Sequence, residues 1–130
     1  MVYFRRDLGT GRNRVLDSQA LARRIVEIAE DKQASDIVLL DLRSISILAD
    51  YFVICSAGSD RQIKAVTESV TEVLRKEAGA RVLHVEGTAD SGWVLMDYGA
   101  VIVHVFAPAE RQFYRLEELW SQAVPVVHIQ

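Results

Sequence analysis

Behind Asp17-Ser18, apolar side chains stand at Leu21, Ala22, Ile25, Ile28 and Ala29, and steps of three and four put them on one helical face. The spacing predicts an amphipathic helix over residues 18–31 with an N-cap at its start. Residues 36–42 then form a short apolar run rich in β-formers, too brief for a buried helix, and read as a strand. In residues 51–55 every side chain is apolar or aromatic, the pattern of a central strand covered on both faces. Ser59 stands three before Gln62, a capping-box spacing, and Ile63, Val66, Val70, Val73 and Leu74 follow at helical period. They predict a helix over 60–77, closed near Gly79.

Two more strands are expected at 81–85 and 92–97, separated by the turn-rich stretch from Gly87 to Ser91. Tyr98-Gly99 suggests a tight hairpin into a strand over 101–106. Pro108 suits the first turn of a last helix with Phe113, Leu116, Trp120 and Ala123 on one core stripe, and Pro125 stops it. The order αββαβββα gives a single α/β domain with a mixed five-stranded sheet packed with three helices. Its expected limits are a flexible Arg-rich arm over 1–16, the domain over 17–124 and a tail over 125–130.

The chain of 130 residues carries 15 Lys plus Arg against 18 Asp plus Glu. Position sharpens that near-balance. The first 16 residues hold four Arg and one Asp, so the arm is basic while the body is acidic. Primary nucleic-acid binding is therefore disfavoured, because phosphate neutralisation needs clustered Lys and Arg. No stretch approaches the roughly 18 apolar residues of a membrane span, and the opening residues lack the apolar core of a secretory signal. Cys55 is the single cysteine, so no intrachain disulfide forms, which suits a reducing, cytoplasmic setting.

Catalytic chemistry finds little support. Ser56-Ala57-Gly58-Ser59 between a strand and a helix could offer N–H groups to a phosphate, but no dinucleotide fingerprint and no P-loop Lys accompanies it. The same arrangement opens nucleotidyltransferase-like cores, yet those need paired carboxylates converging on metals, and Glu68 and Glu72 merely lie four apart on one helix. His84, Glu86, Asp97, His104 and Cys55 are the only metal-ligand candidates, and none has ligand spacing. No cofactor and no metal is expected. Cys55 lies in an apolar strand and should be an inert thiol.

A partner surface is easier to find. With Tyr98 and Gly99 as the loop, Trp93 pairs with His104, Leu95 with Ile102 and Asp97 with Ala100, all on one face. The other face is purely apolar, with Val94, Met96, Val101, Val103 and Val105, and should lie under the helices. The mixed face has the composition of an interface centre. Arg111, Tyr114 and Glu118 form a second stripe on the last helix, again of interface type.

Several ordered blocks then match a known family: Leu48-Ala49-Asp50-Tyr51-Phe52-Val53-Ile54-Cys55-Ser56, Ser59-Asp60-Arg61-Gln62, Val85-Glu86-Gly87, the stretch from Trp93 to Gly99, that from Val101 to Phe106, and that from Arg111 to Trp120. From about Ser18 to Ala123 the chain resembles the ribosomal silencing factors, also called RsfS or Iojap. The resemblance implies a nucleotidyltransferase-like fold without the transferase's carboxylates. It implies a translational repressor and no enzyme, one that binds the large ribosomal subunit through ribosomal protein L-fourteen, blocks joining of the small subunit and damps translation under nutrient limitation. The partner-contacting positions it implies are Trp93, Arg111 and Tyr114, with Asp97, Tyr98 and His104 as neighbours. Ala100 departs from the acidic residue that often follows the family's Tyr-Gly turn, and the Arg-rich arm lies outside the common core. Homodimerisation through the mixed face is left open.

Overall fold

The structure, a computed structural model, describes residues 16–119 and 122–130. Helix α1 spans Ser18–Asp31, and the Asp17 carboxylate caps it by accepting from the Ala20 N–H at 2.7 Å. Strands β1 (Ser35–Asp41) and β2 (Tyr51–Ser56) follow, then helix α2 (Asp60–Ala78), which ends on Gly79 at φ 63°. Strand β3 (His84–Glu86), a single 3-10 turn (Ala89–Ser91) and strands β4 (Trp93–Asp97) and β5 (Val101–Phe106) lead to helix α3 (Pro108–Tyr114), the one-turn helix α4 (Leu116–Leu119) and strand β6 (Val124–Ile129). The first two helices and four of the five expected strands lie within a residue or two of their expected bounds. The exception is β3, which starts three residues late.

Among the described residues the sheet has six strands, in the order β3-β4-β5-β2-β1-β6, and not the five expected. Only β2 and β5 run parallel. The extra strand is the segment read as a tail. Val124-Pro125-Val126-Val127-His128-Ile129 is rich in β-branched residues, and Pro125 lies on an edge strand beside a register irregularity, the places where sheets tolerate proline. The expected last helix is likewise corrected. Arg115 takes a left-handed φ of 49° and ends α3, so α4 starts on a new axis and the stripe breaks up. Leu116 and Ala123 are buried, whereas Phe113 is 79% exposed. Trp120 and residues 1–15 of the arm lie outside the described residues.

Two apolar layers sandwich the sheet. One packs α1 and α2 on Ile37, Leu39, Tyr51, Val53, Cys55, Val94, Met96, Val101, Val103 and Val105. The other gathers Val38, Leu40, Phe52, Ile54 and Phe106 under Leu42, Ala49, Leu116 and Ala123. That second cover lies over β1 and β2 and leaves Trp93, Leu95 and Asp97 of β4 and Ile102 of β5 half-buried.

Candidate functional site

The hairpin of β4 and β5 turns on Gly99-Ala100, not on Tyr98-Gly99. Tyr98 N–H donates to the Val101 carbonyl at 2.9 Å, and Gly99 adopts φ 89°, the positive value a two-residue hairpin loop requires. Trp93 therefore pairs with Phe106, Leu95 with His104 and Asp97 with Ile102. The register differs from the expected one by two residues, and because strand side chains alternate with period two, every residue keeps its face. Trp93, Leu95, Asp97, Ile102 and His104 share the mixed face as expected, with Phe106 added. Residue 106 has the parity of His104, so that signal was present in the sequence.

The face centres on aromatic rings. The Trp93 indole stacks on Phe106 at 4.8 Å between centroids and lies 4.6 Å from the Tyr114 ring, which α3 delivers from across the strand ends. Tyr114 remains 45% exposed, and Phe113 touches it edge-on at 5.0 Å. Behind the indole, Trp93 Nε1–H donates to His104 Nδ1 at 3.2 Å. His104 is only 3% exposed, and burial pushes its pKa down to about 4. At neutral pH the imidazole is uncharged. Leu95 and Ile102 fill the middle of the face, half-buried, and Asp97 turns its carboxylate to the Gly99 N–H at 2.7 Å, fixing the hairpin end.

Two expected site residues are placed differently. Tyr98 points to the opposite face, 8% exposed in the layer under the helices, where burial raises its hydroxyl pKa. Arg111 is on α3 as expected, but its guanidinium is engaged inside the protein. It holds Glu117 Oε2 at 2.6 Å through Nη2 and at 3.0 Å through Nε, while Nη1 donates to Ser56 Oγ at 2.9 Å and to the Asp36 carbonyl. The Asp36 carbonyl is presented by a β-bulge in β1, where Asp36 takes φ 47°. Glu118, from the same expected stripe, is exposed on α4.

The turn before α2 already uses three of its N–H groups. Ala57 N–H donates to the Phe106 carbonyl at 2.8 Å, Gly58 N–H to Gln62 Oε1 at 2.7 Å and Gln62 N–H to Ser59 Oγ at 3.1 Å. Gln62 Nε2 in turn donates to the carbonyls of Lys32 and Gln33, tying this turn to the end of α1. Glu72 is drawn to Arg75 and Lys76, not toward that turn. Among the described residues no group of three His, Cys, Asp or Glu is arranged to hold a metal ion. Burial pushes the Cys55 thiol up to about 12, which suits packing and not nucleophilic chemistry.

The family model described as "Ribosomal silencing factor during starvation" (RsfS) matches residues 15–130. The chain belongs to the ribosomal silencing factor family. A relative named ribosomal silencing factor RsfS from Bacillus subtilis is 45% identical over 94 residues, covering 72% of this chain and 79% of that one. A second of the same name, from Halalkalibacterium halodurans, is 37% identical over 115 residues, covering 88% and 97%. A crystal structure from Chromobacterium violaceum superposes with TM-score 0.77 at 36% identity, over 82% of this chain and 88% of that one. Membership in the silencing factors gives the chain a ribosome-associated regulatory setting. No helix among the described residues is long and apolar enough to cross a membrane.

Proposed function

We propose that the protein damps translation under nutrient limitation by docking on the large ribosomal subunit, through ribosomal protein L-fourteen, so that the small subunit cannot join. No chemical step is involved, and the setting is the cytoplasm. The observation that carries this reading is the half-open sheet face, where Trp93 and Tyr114 stack on a buried Phe106 beside half-buried Leu95 and Ile102. A rigid aromatic anchor with aliphatic neighbours is what concentrates binding energy at a protein interface. Family membership supplies the ribosome as the assembly, and the acidic excess of the chain suits a basic ribosomal protein better than bare RNA.

Inhibition is steric: a folded domain seated on the joining surface keeps the two subunits apart. Trp93 and Tyr114 are the proposed anchors. Asp97 and His104 shape the same face from within it. Arg111 contributes by holding α3, and with it Tyr114, against the ends of β1 and β2. Homodimerisation, if it uses this face, would compete with docking. The test is a subunit-joining assay by light scattering with purified large and small subunits. Wild-type protein should suppress joining once it saturates the large subunit. Tyr114→Ala, which removes an exposed ring, should keep its fold and weaken the effect by about 2 kcal/mol of binding. Undiminished joining at saturating protein would overturn the reading.

A further inference from the structure

We propose that His104 is a positioning residue that locks the Trp93 indole into the orientation used for docking; the inference rests on the proposed docking face. The starting point is a donor count. Indole Nε1–H donates and never accepts, so the 3.2 Å contact makes His104 Nδ1 the acceptor and leaves the ring proton on Nε2. That Nε2 is buried and has no hydrogen-bond partner among the described residues. An unpaired buried donor is costly, so on packing grounds alone an apolar residue would serve this site better. The imidazole does pack, edge-on to Phe52 at 4.7 Å and beside Phe106 at 6.2 Å, but a Leu or Phe could do the same. What His104 adds over either is one acceptor, and that acceptor is given to Trp93.

Stacking alone would leave the indole under-determined. Phe106 at 4.8 Å and Tyr114 at 4.6 Å confine the plane of the ring, yet neither contact is directed at one particular edge of it. The hydrogen bond is directional, because only one ring edge carries the N–H. His104 therefore selects a single orientation before the partner arrives. Binding then avoids the cost of ordering a large side chain. Since His104 itself is buried, its effect on a partner passes through Trp93.

The test is spectroscopic first. In wild-type protein labelled with 15N, imidazole shifts should show Nδ1 unprotonated and Nε2 protonated, with a scalar coupling across the bond to the Trp93 indole nitrogen. The Trp93 signal is assigned by its loss in Trp93→Phe. His104→Leu should move the indole N–H to its unbonded position and weaken binding to purified large ribosomal subunits by roughly five- to tenfold. His104→Asn, whose Oδ1 stands near the position of Nδ1, should restore most of both. A proton on Nδ1 in the wild type would overturn the proposal even if no variant folds. So would His104→Leu that shifts the indole signal and binds as tightly as wild type. Trp93→Ala measured alongside separates the two levels: if it binds normally, the docking face itself is wrong, and if it binds weakly while His104→Leu does not, only the positioning role fails.

Discussion

An imidazole in the middle of a sheet must stay neutral if its neighbours are rings and aliphatics, and this sets how the fold responds to acid. The His104 pKa falls from 6.5 in the open chain to about 4 in the fold. Between these values the unfolded chain binds a proton that the folded chain refuses, so stability is complete above pH 6.5 and declines as the pH drops. By pH 5 the loss should reach about 2 kcal/mol. Urea unfolding at pH 7.5 and pH 5 measures it, and His104→Asn should flatten the difference; an equal loss in that variant would contradict the assignment. Trp93 and His104 could be placed on one face from alternation alone. Their bond could not, because it depends on where the hairpin turns, and Gly99 moved that point by one residue relative to the Tyr98-Gly99 turn. The same shift takes Tyr98 out of the loop, so it follows strand alternation and faces the helices.

Elements are held in place by contacts that span long stretches of sequence. The Arg111 guanidinium joins α3 to the bulge of β1, the end of β2 and Glu117 of α4, with its side chain only 11% exposed. Arg111→Ala should therefore cost about 2 kcal/mol or more of stability, and Arg111→Lys should recover little, because one ammonium cannot span three acceptors in a plane. Denaturation and subunit binding measured on the same variants separate the roles: full stability with lost binding would instead place the guanidinium at the partner contact. Gly87 is a second such point. At φ 83°, a Cβ built there would fall 2.0 Å from the Trp93 carbonyl oxygen. Gly87→Ala should thus push β4 away from the β3 end and destabilise by roughly 2 kcal/mol, read as a drop in midpoint. The long elements were legible because their apolar periods are sustained over many turns or fully buried. The last helix and β6 were not. Its break occurs at an Arg, which carries no helix-stop signal, and Pro125 stops a helix as readily as it occupies an edge strand.

At the scale of the molecule the two faces of the sheet are covered differently. One is closed by α1 and α2 and supplies most of the core; the other is closed over β1 and β2, while Trp93, Leu95, Asp97 and Ile102 on it stay half-buried. Its half-buried part carries the proposed anchors Trp93 and Tyr114, and with a net charge of −3 the proposed docking rests on apolar contacts and not on phosphate neutralisation. Binding should consequently weaken only slightly with added salt, without the steep slope that several phosphate contacts produce. The measurement that bears most directly on the whole account is co-sedimentation with separated ribosomal subunits, using wild-type protein and Trp93→Ala checked for folding by circular dichroism. The wild type should pellet with large subunits and not with small ones, and the folded variant should stay in the supernatant. Pelleting with both subunits alike, or with neither when the ribosomes are active, would contradict it.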